Sequence, residues 1–285
     1  MDTKAGRLYL CPTPIGNLGD ITDRTLEVLR TVDLIAAEDT RNTMRLLNHF
    51  DIHTSLTSYH EHNKYDKVAE LTGIMLEGKS IACVTDAGTP GISDPGEVLV
   101  RSAVDEGIEV ISLPGATAFV TALTASGFPA QRFVFEGFLP KEKKERRELL
   151  KFLSKEPRTI LLYEAPHHLK RTLSELAEAL GETRKIALCR ELTKLHEEIL
   201  RMTLKAACDH YKDLEPRGEY VLVIEGISRE ETEAARRREF EDISISEHVA
   251  LYEERGYSKK EAMKKTAEDR GMAKRDVYNS LLLDN

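Results

Sequence analysis

The stretch SIACVTDAGTPGISDPGEVLVRSAVDEG (residues 80–107) decides the fold. It opens with a short apolar run, which predicts a buried strand, and it closes with helical apolar spacing that ends at Gly107, a typical helix C-cap. Between these two segments, residues 84–96 hold three glycines and two prolines. A strand, a stiff loop and a helix in this order predict one unit of an α/β layer with a parallel sheet.

The same alternation continues on both sides of this unit. Further apolar runs predict strands at 7–13, 33–39 and 109–115, and amphipathic spacing predicts helices at 20–32, 40–50 and 64–78. We therefore expect an N-terminal α/β domain over residues 1–127 with a largely parallel sheet.

A second series of strands and helices follows. It predicts a second α/β domain over residues 128–228, with closing strands that can pair antiparallel, at 185–193, 197–204 and 218–226. Residues 229–242 are so charged that they predict a linker or a solvated helix. The tail, residues 243–285, predicts three short helices broken at Gly256 and Gly271.

Composition limits the classes of protein to consider. The chain has 285 residues and a formal net charge of -8, so no overall positive field attracts a polyanion, and any nucleic-acid contact must use local patches. The four cysteines are far apart and form no C-x-x-C pair, which argues against a zinc site and fits a reducing compartment. No run of eighteen apolar residues occurs. We expect a cytoplasmic protein that needs no metal and does not enter a membrane.

The loop at 84–96 has the chemistry of a ligand site. It follows a predicted strand at the carboxyl edge of the sheet, where α/β folds bind their ligands. It carries Asp86, Thr89 and Asp94, and residues 80–100 contain no lysine or arginine. A cationic or zwitterionic ligand therefore fits better than a phosphate-rich one. The alternative, a plain loop with Asp94 as the cap of the next helix, leaves Asp86 to Ile92 unexplained.

Other strand ends carry polar or small residues. The small side chains at 116–118 leave the start of the next helix open to a ligand, although close packing on the sheet would also explain them. In the second predicted domain, six side chains could form an acid/base or substrate-holding set: Tyr163, Glu164, His167, Glu191, Lys194 and His196. Each of these alone is more often a surface ion pair or a cap. No nucleotide-binding glycine fingerprint, hydrolase triad or zinc pattern accompanies them.

Basic residues recur at 141–151, 167–171, 236–238 and 258–275. Glutamates are interleaved in most of these clusters, which is typical of solvated helix faces. Their recurrence beside the predicted cleft and in the tail is, however, what a site for structured RNA needs.

Seven stretches together resemble a known family: LYLCPTPIGNLGDIT (8–22), DLIAAEDTRNT (33–43), VTDAGTPGISDPG (84–96), LPGATA (113–118), FEGFLP (135–140), LLYEAPHH (161–168) and RELTKLHEE (190–198). The family is the tetrapyrrole methylase superfamily of S-adenosylmethionine-dependent enzymes, and within it the branch that methylates small-subunit ribosomal RNA. The tail also resembles the helix-turn-helix-like tail of that branch.

This resemblance implies two α/β domains with S-adenosylmethionine in the cleft between them. It also implies methyl transfer to the ribose 2′-oxygen of a cytidine in the decoding region of 16S rRNA, in the free RNA or in the 30S subunit. Members of the branch are generally homodimers, and they need no metal to hold the cofactor. One departure is His168, where the branch usually carries arginine; Arg171, one helical turn further on, is a possible replacement.

The expected site residues fall into three groups. The cofactor is expected against Pro14, Ile15, Asp86, Gly88, Thr89, Gly91, Ile92, Thr117, Ala118 and Tyr163. The catalytic candidates are Glu191 and Lys194, as the preferred pair, together with His196 and Glu164. Substrate contacts are expected from Lys141, Arg146, His167 and Arg171.

Two other functions stay open on the sequence. An enzyme of the same fold could methylate a small tetrapyrrole, but a small substrate would not require the helical tail or the basic clusters. A non-catalytic RNA-binding assembly factor could keep a vestigial cofactor cleft. Binding of S-adenosylmethionine and transfer to 30S subunits discriminate between these alternatives.

Overall fold

A computed structural model describes residues 5–228, 230–232, 234 and 239–283. Within the predicted linker, residues 229, 233 and 235–238 lie outside the described part, and these include the basic run at 236–238. Among the described residues, no helix is both long and apolar enough to cross a membrane.

The N-terminal half forms a five-stranded sheet in which every pair is parallel, as predicted. The strands are β1 (Arg7–Leu10), β2 (Leu34–Ala37), β3 (Leu56–Ser58), β4 (Ile81–Val84) and β5 (Glu109–Ser112), in the order β3-β2-β4-β1-β5. The helices are α1 (Asp23–Thr31), α2 (Thr40–His49), α3 (Lys64–Leu76), α4 (Gly96–Asp105) and α5 (Ala118–Ser126). Helices α1 to α4 cover both faces, so the central strand β4 is buried at all four residues.

Two loops that matter for the site follow the central strand β4 and its neighbour β1. Strands β1 and β4 are neighbours, so the loops after them lie side by side at the carboxyl edge. Thr13 and Gly88 join these loops through two backbone hydrogen bonds of 3.0 Å each. This is the place in an open α/β sheet where ligands bind.

The second half forms a mixed sheet, and its closing strands pair antiparallel, as predicted. The strands are β6 (Phe133–Phe138), β7 (Thr159–Glu164), β8 (Lys185–Arg190), β9 (Glu198–Thr203) and β10 (Tyr220–Ile224), in the order β6-β7-β10-β8-β9. The helices α6 (Lys143–Leu153), α7 (Pro166–Leu180) and α8 (Leu204–Tyr211) cover one face. Helix α6 begins at Lys143 because Glu142 caps its start and accepts a hydrogen bond from the Lys144 N–H.

Helix α5 connects the two halves. It follows the last strand of the first sheet, but it packs on the open face of the second sheet against β7, β8, β9 and β10. Its buried Ala122 and Leu123 share an apolar cluster with Leu161, Cys189 and Val223 of that sheet. The loop that precedes α5 is thereby held against the second half of the molecule.

The tail folds around a small apolar cluster of its own. Its helices are α9 (Ile245–Glu254), α10 (Lys259–Arg270) and α11 (Lys274–Leu283), with the breaks predicted at Gly256 and Gly271. Ser244 and Glu247 cap α9 reciprocally, and Ser258 and Glu261 do the same for α10. The packed core of this module consists of Val249, Ala262, Ala267 and Val277.

Candidate active site

A cleft of about 440 Å³ lies between the carboxyl edge of the first sheet and the second sheet. The loops that follow β4, β5, β7 and β8 form its walls. Eleven of the site residues expected from the sequence line it: Ile15, Asp86, Gly88, Thr89, Ile92, Thr117, Ala118, Tyr163, Glu164, Glu191 and Lys194.

The loop between β4 and α4 is shaped by one carboxylate. Asp94 accepts hydrogen bonds from the backbone N–H groups of Gly91 at 2.9 Å, Ile92 at 3.0 Å and Gly96 at 2.7 Å. Gly88 has a φ of 86°, a backbone conformation that other residues adopt only with strain. Asp94 therefore organises the loop as well as the start of α4, and Gly91 supports the cleft from behind without lining it.

A hydrogen-bonded pair of threonines joins this loop to the loop before α5. The Thr89 hydroxyl lies 2.7 Å from the Thr117 hydroxyl and donates to the Ala116 carbonyl at 3.0 Å. Thr117 is the N-cap residue of α5, but its side chain accepts no hydrogen bond from the helix. The cleft thus meets the uncapped positive end of a helix, which suits a carboxylate group of a ligand.

An aromatic wall faces this helix end from the second sheet. The Tyr163 ring packs edge-on against Phe135, with centroids 5.0 Å apart, and lies 5.6 Å from Phe138. Burial raises the pKa of the Tyr163 phenol, so this group stays neutral at physiological pH. An apolar wall with a neutral hydroxyl suits the ring system of a cofactor.

The preferred catalytic pair forms a fixed ion pair. Lys194 Nζ lies 2.9 Å from Glu191 Oε1 and 2.8 Å from Glu219 Oε2. The hydrogen bond from Lys194 holds the pKa of Glu191 below its ordinary value. Burial works to lower the pKa of Lys194, but its bonds to Glu219 and Glu191 outweigh burial, and the pKa is raised. Lys194 therefore stays protonated, and Glu191 is a weak proton acceptor.

A second group of carboxylates follows strands of the first sheet, and one of its members, Glu38, was not among the residues predicted from the sequence. Glu38 accepts hydrogen bonds from the Thr85 hydroxyl at 2.5 Å and from the Asp86 backbone N–H at 3.3 Å. Burial and the charge of Glu38 raise the pKa of Asp86. Glu38 directly follows β2 at the carboxyl edge, so the same strand-end reasoning that found Asp86 would have found it.

Glu164 is anchored from behind, and Arg146 takes part in the anchor. The Glu164 carboxylate accepts hydrogen bonds from the Thr172 hydroxyl at 2.5 Å and from the Ala165 N–H at 2.9 Å. The buried Arg146 donates to Thr172 at 2.7 Å and pairs with Glu175 at 2.5 Å. Because its guanidinium is engaged in the interior, Arg146 is unsuited to the substrate contact expected from the sequence.

Several other expected residues lie away from the cleft wall. Pro14 lines a neighbouring cavity. His196 is exposed in the turn between β8 and β9, and Lys141 and His167 are exposed on the second half. Arg171 lies on the outer face of α7, where it pairs with Glu175 at 2.8 Å.

The chemistry of the cleft fits S-adenosylmethionine. Carboxylates of Glu38, Asp86 and Glu191 face a cleft in which Lys194 is the only cationic side chain among the described residues that line it. Two carboxylates already neutralise this lysine. An acidic environment suits the positive sulfur of the cofactor, the uncapped start of α5 suits its carboxylate, and the aromatic wall suits its adenine.

Comparison with known proteins supports the same conclusion. The family model "Tetrapyrrole (Corrin/Porphyrin) Methylases" matches residues 7–208. The chain is 50% identical over 274 residues to ribosomal RNA small subunit methyltransferase I of Halalkalibacterium halodurans, which covers 96% of this chain and 94% of the relative. The protein of the same name from Thermotoga maritima is 48% identical over 221 residues, which is 78% of this chain and 99% of the relative.

Among solved structures, uroporphyrin-III C-methyl transferase from Thermus thermophilus, complexed with S-adenyl homocysteine, has a similar fold. The TM-score is 0.55 at 15% sequence identity, and the match covers 77% of this chain and 97% of that one. At this identity the likeness concerns the fold alone.

Proposed function

The chain belongs to the tetrapyrrole methylases and, within them, to the ribosomal RNA small subunit methyltransferase I family, and from this we propose that it methylates the ribose 2′-oxygen of a cytidine in the decoding region of 16S rRNA. Its cofactor is S-adenosylmethionine. The observation that carries the proposal is the acid-lined cleft, which has a helix N-terminus at one wall and an aromatic group at the other.

Ten residues are proposed to hold the cofactor. They are Pro14, Ile15, Asp86, Gly88, Thr89, Gly91, Ile92, Thr117, Ala118 and Tyr163. The hydrogen bonds of Asp94 and the pair of threonines support this role, because they fix the two loops that carry most of these residues before any ligand arrives. When bound, the cofactor supplies a methyl group on a positively charged sulfur.

The chain's own residues must align the 2′-oxygen with that methyl group and stabilise the charge that develops on the oxygen. Alignment is the main requirement, because the transfer is an in-line displacement. Lys194 is proposed as the cation that polarises the oxygen, and Glu191 as the group that positions Lys194. Glu164 is proposed as a substrate-holding group because its anchored carboxylate reaches the cleft wall. His196, exposed beyond the cleft, is the weakest of the four catalytic candidates.

We propose 16S rRNA, free or in the 30S subunit, as the partner, and a homodimer in the cytoplasm as the working form. The exposed Lys141, His167 and Arg171 are the proposed RNA contacts on the second half. The proposed domains are residues 1–127 and 128–228, followed by the linker 229–242 and the tail 243–285.

Two measurements test the function. Calorimetry should detect binding of S-adenosylmethionine, and the purified protein should transfer a radiolabelled methyl group to 30S subunits or to naked 16S rRNA from cells that lack the gene. Absence of cofactor binding would contradict the methyltransferase proposal. Binding without transfer to either RNA substrate would favour the assembly factor, and transfer to a small tetrapyrrole alone would favour the other methylase activity.

A further inference from the structure

A second cavity of about 360 Å³ lies beside the cofactor cleft, and the proposed function does not yet use it. The loop after β1 forms one side with Pro14, Gly16 and Leu18. Helix α2 forms the other side with Asn42, Arg45 and His49. The cavity therefore lies at the carboxyl edge of the first sheet, as the cofactor cleft does.

The two cavities share one stretch of wall. Thr85 and Asp86, at the end of β4, line both of them. The Thr85 hydroxyl is held by Glu38, and the Thr85 carbonyl accepts a hydrogen bond from the Thr13 hydroxyl at 3.0 Å, so this wall is fixed. A group bound in the second cavity would therefore meet the cofactor cleft at the side chain of Asp86.

The second cavity differs from the cofactor cleft in its charge. Arg45 and His49 are exposed on α2, and no described residue forms an ion pair with Arg45. The nearby Arg41, in contrast, is held by Asp39 at 2.8 Å. A free guanidinium binds a phosphate, and an imidazole beside the exposed apolar Leu18 offers a surface for a base. Together these groups match one nucleotide of a single-stranded RNA segment.

Asp86 has the surroundings of a proton acceptor. Glu38 and Asp39 face it from the end of β2, and Arg41 and Asn42 face it from the start of α2. Burial and the charge of Glu38 raise the pKa of Asp86, and a hydrogen bond from Asn42 opposes this rise. A carboxylate with a raised pKa accepts a proton better than one with a lowered pKa, such as Glu191.

We propose that the second cavity binds the target nucleotide and that Asp86 is the general base that accepts the proton of its 2′-hydroxyl. This inference rests on the proposed function. In the step, the bond from the 2′-oxygen to the methyl carbon forms as the sulfur–methyl bond breaks. The electron pair of the broken bond stays on sulfur, which becomes a neutral thioether, and the proton passes to the Asp86 carboxylate.

Asp86→Asn tests the base. Measured at saturating S-adenosylmethionine, so that any change in cofactor affinity does not enter, the single-turnover rate of methyl transfer should fall by about 10² to 10⁴-fold. In the parent protein the rate should fall as the pH drops through the pKa of Asp86, because only the ionised carboxylate accepts a proton. In the variant, this acid limb should disappear.

Asp39→Asn is the matched control, because it removes one negative charge from the same cluster. Arg41 holds the pKa of Asp39 down to about 2, so Asp39 is not expected to accept the proton. This variant should keep the transfer rate within a few-fold of the parent. Urea unfolding of both variants shows whether they are folded, and removing the charge of Asp86 beside Glu38 should not destabilise the chain.

Arg45→Ala tests the nucleotide site, with Arg41→Ala as its control. The first variant should raise the KM for 30S subunits about tenfold at unchanged kcat and unchanged affinity for the cofactor, since it loses one charged contact to a phosphate. The second should keep the KM of the parent, because Arg41 does not line the second cavity. An unchanged KM in Arg45→Ala would overturn the assignment of the second cavity.

The outcomes separate this inference from the proposed function. A parent protein that transfers no methyl to 30S subunits or 16S rRNA overturns the proposed function and this inference with it. A parent that is active, with an Asp86→Asn variant that keeps its rate and its acid limb, overturns the general base alone.

Discussion

Buried side chains fix the wall of the cleft from behind. The clearest case is a chain of three hydrogen bonds. Thr172 donates to Glu164, and Arg146 donates both to Thr172 and to Glu175. Arg146 is 8% exposed and Glu164 is 6% exposed. Removing Arg146 takes the buried cation out of this set and leaves Thr172 and Glu175 without the contacts it made to them, which is strongly destabilising.

Arg146→Ala should therefore lower the free energy of unfolding by about 3–5 kcal/mol. Arg171→Ala is the matched control, because Arg171 pairs with the same Glu175 from the solvent side and half of its side chain is exposed. That variant should lose no more than about 1 kcal/mol. Urea unfolding of the three proteins measures both changes, and equal losses in the two variants would contradict the anchoring role of Arg146.

At this scale the sequence predicted the residues at strand ends better than those behind them. Thr89, Ile92 and Glu191 line the cleft because they follow strands whose carboxyl ends converge. The sequence of α6 alone did not distinguish Arg146 from the solvated cations around it. Its burial depends on how α6 packs against α7. That packing is a tertiary contact, and the spacing of residues within α6 does not contain it.

Among the elements, the loop between β4 and α4 depends most on a single residue. The Asp94 carboxylate accepts hydrogen bonds from three backbone N–H groups. Gly96 must lack a side chain there, because a Cβ would lie 2.7 Å from Asp94 Oδ1 and 2.8 Å from the Gly91 nitrogen. The carboxylate and the glycine together hold the loop in the shape that forms the cleft wall.

Asp94→Asn should damage this loop. An amide has one acceptor oxygen, and its NH₂ group would face backbone N–H donors, so at least one buried donor loses its partner. We expect a loss of about 1–3 kcal/mol in the free energy of unfolding and a weaker affinity for S-adenosylmethionine. Glu97→Gln, an exposed change in the first turn of the same helix, should leave both unchanged. Calorimetry checks this, and equal cofactor affinity in the two variants would show that Asp94 does not shape the site.

The regular elements were largely predictable, because buried parallel strands are continuous apolar runs and the helices between them are amphipathic. The three-residue strand β3 has no fully buried residue and carries almost no pattern. Helix α8 begins directly after β9, with Thr203 as its cap, so the sequence offers no turn between them. The packing of α5 on the second sheet was not predictable either, since it depends on how the two sheets face each other.

The whole molecule joins two sheets, a cleft and a tail that packs on itself. The buried cluster of the tail includes no residue of either sheet, and no tail residue lines either cavity within the described part of the chain. The basic cluster at 258–275 belongs to this module. The tail is thus separate from the cofactor cleft, and we propose that its basic cluster contacts RNA.

Removal of residues 243–285 should consequently leave the Kd for S-adenosylmethionine within about twofold of the parent, since distant sites contribute independently. Calorimetry on the shortened chain measures this. The affinity for 30S subunits, measured in parallel, should weaken and should become less dependent on salt, as fewer cations contact phosphate. Loss of cofactor binding in a chain that still unfolds cooperatively would contradict the independence of the tail.

The most direct measurement of the central claim is mass mapping of 16S rRNA from cells with and without the gene. One cytidine of the decoding region should carry a ribose methyl group in the parent cells, lack it in the deletion strain and regain it when the gene is restored. A decoding-region cytidine that stays equally methylated in the deletion strain would contradict the account.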